Sequence, residues 1–184
     1  MGDQMIKLNS AALRAAFNFK AKDDIRKHLN GINIDQDCIV GSNGHVAVII
    51  PSDIPEGVTG VLYMDKIPVA TAVETVFDNG SAISYDANGK EKGRCAYTFE
   101  QQINIAPYKD VLPDKQVVEE GGFCLAPDYL ALIGKSFPRP KKASKYAIKL
   151  INSKPNTQEP VMFEVKAEYL PKGTATVCIA PVKE

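Results

Sequence analysis

His28 and His45 are the only imidazoles in this 184-residue chain, so an imidazole base must be one of them. Ser42 stands three residues before His45 and would supply a nucleophile. The two flank Asn43-Gly44, a tight-turn pair, and no third group is evident to orient the ring as triad chemistry requires. Asp23-Asp24 and Asp35-x-Asp37 offer carboxylates to a magnesium ion, yet acidic pairs in short polar connections are usually turn formers. Neither a phosphate-cradling G-x-x-x-x-G-K-[ST] loop nor a G-x-G-x-x-G turn occurs. Cys38, Cys95, Cys124 and Cys178 lie far apart, with no C-x-x-C pair, each in an apolar, strand-like stretch. They read as four buried reduced thiols of a cytosolic protein rather than as a zinc site or a disulfide framework. The expectation is a non-enzyme with no catalytic residue, no metal and no cofactor.

The positive charges are more informative. Lys and Arg number 22 against 22 Asp and Glu, so no global field steers the protein toward nucleic acid. The distribution is uneven: residues 1–118 carry 12 basic and 15 acidic side chains, residues 119–184 carry 10 and 7. Between Gly134 and Lys149 there are six bases and no acid. A composition of 45% hydrophobic and 24% charged residues excludes a wholly disordered, collagen-like or coiled-coil chain. No run of about 18 apolar residues is present, which leaves no spanning helix. The stretch from Met1 to Met5 lacks the charged and apolar regions of a secretory signal, and Ile6 stands where a myristoylation motif needs Ser or Thr. The expected location is the cytoplasm, with no membrane partner.

The elements that must position these groups repeat three times. Met5–Leu8 reads as a short strand, Ser10 as a helix N-cap and Ala11–Phe19 as a helix, followed by strands at Leu29–Ile34, Cys38–Gly41 and His45–Ile50. The pattern restarts at Val58–Met64. A helix is expected from Pro68 to Phe77, stopped by Asn79-Gly80, with strands at Ala82–Asp86, Arg94–Phe99 and Gln102–Ile105, the first two joined through Asn88-Gly89. The third unit starts at Gly122–Leu125, enters a helix at Pro127 that ends before Pro138, and shows strands near Tyr146–Ile151, Val161–Val165 and Thr174–Ala180. Each unit is β-α-β-β-β, a helix on one face of a small antiparallel sheet. One unit buries only one side of its sheet, so the odd third unit is left with open edges that invite a neighbour.

Three segments stand in a recognisable order: Asp24-Ile25-Arg26-Lys27-His28-Leu29-Asn30-Gly31, then Ser42-Asn43-Gly44-His45-Val46-Ala47, then Tyr108-Lys109-Asp110-Val111-Leu112-Pro113. With the ending Cys178-Ile179-Ala180-Pro181-Val182-Lys183-Glu184, this order resembles the bacterial sliding clamp, the β subunit of DNA polymerase III. The resemblance implies an α+β protein of the DNA-clamp fold with three half-domain units and helices on one face of antiparallel sheets. Residues 1–118 would form a complete domain of two half-units, 1–57 and 58–118, and residues 119–184 half of another. That is half the family's length, as in a shortened phage-like version or a fragment. The implied function is a DNA polymerase processivity factor that assembles around or along duplex DNA and performs no chemistry. Twelve units make a clamp ring, so counting gives a homo-oligomer of four chains. The alternative is a non-encircling clamp mimic or adaptor that binds a replication protein; zero net charge and an acidic second helix motivate it.

If the helices face DNA, their outer stripe must be polar and preferably basic, because lysine and arginine supply sequence-independent affinity for phosphate. The first helix offers Arg14, on a stripe with Ser10 and Asn18 and opposite Leu13, Ala16 and Phe17. Lys20, Lys22, Arg26, Lys27 and His28 follow at once, and the third helix and the loop behind it carry Lys135, Arg139, Lys141, Lys142 and Lys145. Both loops read equally as ordinary solvated loops. The second helix would present Thr71, Glu74, Thr75 and Asp78, which repel phosphate. The family's other site is an outer hydrophobic cleft that takes a short peptide from a DNA polymerase or clamp loader. Its walls here would be Leu29, Ser42, Gly44, His45, Val46, Ala47, Val111, Ala180, Pro181 and Val182. Val46 stands where the family has arginine, Ala47 for leucine, Asp110 for arginine and Ala180 for methionine, which makes the cleft shallower and less cationic. The same residues also read as ordinary core strands joined by a hairpin turn.

Overall fold

The structure is a computed structural model and describes residues 5–101, 112, 117–119, 124–138, 146–153 and 159–181. The first strand, β1 (Ile6–Asn9), runs directly into helix α1 (Ser10–Phe19). Alanine-rich and free of β-branched residues, this segment loses little rotamer freedom on coiling. Asn9, not Ser10, is the cap: its Oδ1 accepts the N–H groups of Ala11 and Ala12 at 2.9 and 3.0 Å. Ser10 instead lies fully buried, its hydroxyl 2.7 Å from that of Thr75, which is 3.0 Å from Ser84. This chain of three buried hydroxyls ties α1 to the second unit, and each satisfies a polar group that would otherwise be stranded out of water.

Three strands complete the first unit: β2 (Ile32–Asp35), β3 (Cys38–Ser42) and β4 (Val46–Pro51). A 3-10 turn over Lys27–Asn30 occupies the start of the stretch expected as a strand from Leu29. Alternation along β3 and β4 sends Ile39, Val48 and Ile50 toward α1, where they meet Leu13, Ala16 and Phe19 in the main core. Val40 and Ile49 go to the opposite face and join Met162 and Cys178 in a smaller cluster. Helix and sheet are in backbone contact at Gly41, where a Cβ would lie 2.1 Å from the Ala16 carbonyl oxygen. Only glycine permits that approach.

The second unit differs from expectation. After β5 (Gly60–Met64), residues 65–73 form turns, and the segment expected as a helix enters strand β6 (Glu74–Asp78). Thr75, Val76 and Phe77 are β-branched or aromatic and pair on both sides, with β1 and with β7 (Ser81–Tyr85). Asn79-Gly80, expected to stop a helix, is a two-residue hairpin turn with both φ angles positive, +44° and +76°. The other turn, at Asn88-Gly89, leads as expected into β8 (Glu91–Gln101). No helix covers this unit among the described residues, so the acidic stripe expected from Thr71 to Asp78 does not form. The expected strand Gln102–Ile105 lies outside the described residues.

Helix α2 (Pro127–Ser136) and strands β9 (Tyr146–Asn152), β10 (Val161–Ala167) and β11 (Thr174–Ile179) make up the third unit. Its first strand was expected at 122–125; Cys124 and Leu125 are in no strand and the rest is not described. All eleven described strands belong to one sheet, in the order β1-β6-β7-β8-β5-β2-β3-β4-β11-β10-β9. Two crossings in that order matter. The first strand of each of the first two units pairs with the second strand of the other, β1 with β6 and β5 with β2. The last strands of the first and third units, β4 and β11, pair edge to edge. Phe19 and Phe137, with ring centroids 6.5 Å apart, bring the ends of α1 and α2 together on the core side. The architecture is therefore a mostly antiparallel sheet, as expected, with helices on one sheet face in the first and third units.

Candidate DNA and peptide interface

Residues 20–30 leave α1 and return to β2 as a loop that its own polar side chains stiffen. The Asp24 carboxylate accepts the Arg26 backbone N–H at 2.8 Å and grips its guanidinium at 3.0 and 3.1 Å. Those bonds hold the Asp24 carboxyl down at about 2, below its ordinary value near 3.8. Asn30 staples the loop's two ends, accepting the Asp24 N–H and donating to the Asp24 carbonyl, both at 2.8 Å. Lys22, Arg26 and Lys27 are exposed, and Lys20 and His28 half-buried. Lys20 lies over the Phe17 ring at 4.8 Å, and burial lowers its pKa. Ile25, between the cations, is 96% exposed.

The loop lies against the β3–β4 hairpin. The Ala21 N–H is shared between the carbonyls of Leu29 and Ser42, at 2.8 and 3.1 Å. Asn43 closes the turn by accepting the N–H groups of His45 and Val46, both at 3.0 Å. Gly44 follows with φ +87°, and a Cβ there would lie 2.6 Å from an Arg26 guanidinium nitrogen. Arg26 thus sits over the turn. The carbonyl of His45 accepts the Ala180 N–H at 2.8 Å, which carries the end of β11 to the same place. The His45 ring stacks on Tyr129 of α2, centroids 6.3 Å apart and planes 12° apart.

These contacts bring Ser42, Gly44, His45, Val46 and Ala47 of the hairpin next to Ala180 and Pro181 at the end of β11. Leu29 and Val46 are buried, so neither is presented at the surface as a cleft wall would be. Val111 and Val182 lie outside the described residues, as do Arg139, Lys141, Lys142 and Lys145 of the cationic expectation. Lys135 is exposed in the last turn of α2. Arg14 is not presented outward on a stripe with Ser10. Its guanidinium donates to the carbonyls of Val69 and Ala72 at 2.7 and 3.1 Å, and burial lowers its pKa. It thereby holds the turns that replace the second unit's helix. Asp24, Ile25, Asn43 and Tyr129 lie beside these residues and were not among the expected site residues; Asp24 and Asn43 stood in the quoted Asp24-x-Arg26 and Asn43-Gly44 spacings, while Ile25 and Tyr129 carried no mark.

No catalytic geometry emerges from the candidate pair. The Ser42 hydroxyl donates to the Val46 carbonyl at 3.1 Å and accepts the Gly44 N–H at 3.1 Å, so it serves the turn. Asp35, Asp37 and Cys38 bring ligand atoms within 4.8 Å of one another, but Asp35 accepts the Gln36 N–H at 2.8 Å in a tight hairpin, the role of a turn former. The expected thiols divide: Cys38 and Cys178 are buried, Cys95 is half-buried and Cys124 is exposed. None is in a disulfide. Cys124 lies outside any described strand, so no sheet pairing buries it.

No family model and no curated protein sequence matches the chain. Solved structures do. The DNA polymerase sliding clamp of Pseudomonas aeruginosa superposes with a TM-score of 0.58, covering 100% of this chain and 68% of that one at 11% identity. The DNA polymerase III subunit beta of Borrelia burgdorferi, solved in complex with a natural product, gives 0.55 over 98% and 63% at 12% identity. Caulobacter crescentus pol III beta gives 0.55 over 100% and 68% at 10% identity. The chain spans about two thirds of the length of these clamps. No described helix is long and apolar enough to cross a membrane. From its first described strand to its last, the chain has the fold of the bacterial DNA polymerase III β sliding clamps.

Proposed function

We propose that this protein is a clamp-like processivity factor: a non-enzymatic cytoplasmic scaffold that assembles on duplex DNA and tethers replication proteins. The superposition of the whole chain on sliding clamps carries the reading. Residues 1–118 would act as one domain of two interlocked units, an arrangement supported by the reciprocal β1–β6 and β5–β2 pairings. Residues 119–184 would be a half-domain joined through β4 and β11. Lys20, Lys22, Lys27, His28 and Lys135, with Arg139, Lys141, Lys142 and Lys145, would contact phosphate. The turn at Ser42, Gly44, His45 and Ala47, with Ala180, Pro181, Val111 and Val182, would take a peptide from a polymerase or loader. Arg26, lying over Gly44, belongs with this second site and would offer the peptide a charged donor. Counting units still gives a homo-oligomer of four chains.

The DNA role has a direct assay. Lys22→Glu combined with Lys27→Glu removes two exposed cations; if each meets a phosphate, the slope of log affinity against log salt falls by about 2 in magnitude. Duplex binding unchanged in affinity and slope overturns the assignment. A second reading, an adaptor that docks on a replication protein without encircling DNA, is favoured by two observations: Arg14 is occupied with carbonyls, and the second unit, among the described residues, has no helix to line a hole. It predicts peptide binding at the Gly44 turn with no affinity for DNA.

A further inference from the structure

Asparagine followed by glycine occurs four times, at Asn30-Gly31, Asn43-Gly44, Asn79-Gly80 and Asn88-Gly89. Each pair carries the same latent chemistry, because asparagine is chemically labile and a following glycine has no side chain to shield its nitrogen from the carboxamide carbon. Two conditions must be met before a pair reacts. The carboxamide must be free to turn onto the backbone, and the glycine N–H must be free to lose its proton.

Three pairs are held. At Asn30 both ends of the carboxamide are engaged, Oδ1 accepting the Asp24 N–H and Nδ2 donating to the Asp24 carbonyl, each at 2.8 Å. Gly31 is buried and its N–H donates to the His28 carbonyl at 3.4 Å. At Asn43 the Oδ1 accepts the N–H groups of His45 and Val46, while the Gly44 N–H donates to the Ser42 hydroxyl at 3.1 Å. Asn88 is exposed, but the Gly89 N–H donates to the Asp86 carbonyl at 3.0 Å.

Asn79-Gly80 meets both conditions. The two residues are exposed at the tip of the β6–β7 hairpin. Among the described residues the Asn79 carboxamide has no hydrogen-bond partner and the Gly80 N–H has no acceptor. Only the Gly80 carbonyl is engaged, accepting the Tyr97 N–H at 3.0 Å, which anchors the glycine and leaves its nitrogen unoccupied.

We infer that Asn79 is a site of spontaneous covalent modification, converting to aspartate and isoaspartate with water as the only co-reactant. The Gly80 nitrogen gives its proton to a base in solution and bonds to Asn79 Cγ; the Cγ–Nδ2 bond breaks, and Nδ2 takes a proton from water and leaves as ammonia. One water then opens the cyclic imide. Cleavage of its N–Cγ bond restores the chain with aspartate, whereas cleavage at the Asn79 main-chain carbonyl carbon leaves isoaspartate, with the chain running through Cβ and Cγ. Aspartate, like asparagine, tolerates the positive φ of +44° at this position. Isoaspartate adds a backbone atom to a two-residue turn and so disturbs the register that sets Thr75 opposite Ser84. Those two hydroxyls form the chain that holds Ser10, so this product loosens the grip of the second unit on α1.

The test is peptide mapping by mass spectrometry of the full chain aged at mildly alkaline pH, native and in denaturant, following the replacement of NH2 by OH at each pair. In the native protein Asn79 is expected to convert first. Asn88, which must break one hydrogen bond, is expected about fivefold slower, and Asn30 and Asn43, which must break more, at least about tenfold slower. In denaturant the four rates should converge. Conversion of any other pair first, or an Asn79 lead of the same size in denaturant, overturns the inference. Thermal unfolding checks the consequence: the separated isoaspartate form is expected to melt below wild type and Asn79→Asp within about 2 °C of it. An isoaspartate form that melts with wild type overturns the loosening.

Discussion

Replacing Gly41 by alanine tests how closely α1 is pressed onto the sheet, the contact that sets the exit of the cationic loop and the base of the β3–β4 hairpin. The new Cβ would lie 2.1 Å from the Ala16 carbonyl oxygen and 2.7 Å from its Cα, against an ordinary contact of 3.4–4 Å. The helix would have to retreat by more than 1 Å, and the obstacle is backbone, which cannot rotate out of the way as a side chain does. Retreat is opposed by the buried Ser10–Thr75 contact and by Arg14 on the carbonyls of Val69 and Ala72. Overpacking of a core typically destabilises by about 1–3 kcal/mol, and a backbone obstacle places Gly41→Ala at the upper end. For a chain of this size each 1 kcal/mol shifts Tm by about 2–4 °C, so thermal unfolding followed by circular dichroism is expected about 6–12 °C below wild type. Gly134→Ala is the control of opposite sign. It lies in the last turn of α2 with nothing within 4 Å of the place an added methyl would take, and removing a helix glycine should add up to about 1 kcal/mol. A Gly41→Ala Tm within about 2 °C of wild type would refute the close approach and the positioning argument built on it.

The Asp24 carboxyl, held at about 2 by Arg26, has a depressed folded value, so its stabilisation of the loop is present above its ordinary value near 3.8 and is lost as pH falls through 2. A carboxyl-carbon NMR titration should place its midpoint near 2 and move it toward 3.8 in Arg26→Ala; a wild-type midpoint near 3.8 contradicts the clasp. Burial pushes the Cys178 thiol up to about 12, so at pH 8 a thiol reagent should modify exposed Cys124 quickly and leave Cys178 untouched until the protein unfolds, with equal rates at the two sites counting against the packing. Gly44→Ala places a methyl 2.6 Å from the Arg26 guanidinium at φ +87°, and it should weaken binding of a clamp-binding peptide by calorimetry while leaving duplex DNA affinity unchanged; equal loss of both would merge the two proposed sites into one.

What the sequence made legible was local. Strands β3, β4, β10 and β11, both helices that form, and the turns at Asn43-Gly44 and Asn88-Gly89 follow from alternation, proline placement and turn chemistry. The misreadings came where one local signal serves two structures. Asn79-Gly80 ends a helix or makes a two-residue hairpin, and only the pairing of Val76 and Phe77 with β1 and β7, the first of them far away in sequence, selects the hairpin. Asn9 and Ser10 are both good caps; the burial of Ser10 against Thr75 decides between them. Arg14 looks like an outward cation on a helical wheel, but carbonyls 55 and 58 residues later claim it. The joining of the hairpin turn to Ala180, and His45 to Tyr129, are contacts across the sheet between segments more than 80 residues apart, for which no single stretch of sequence carries a mark.

The proposed clamp function requires the assembled protein to hold on to DNA by topology as well as by charge. It is tested most directly by loading the protein on a nicked circular plasmid, raising the salt to suppress ordinary phosphate contacts, and counting retained protein before and after a single cut linearises the circle. Retention on the circle with release on linearisation is the result expected. Equal retention on both forms, or none on either, would contradict it.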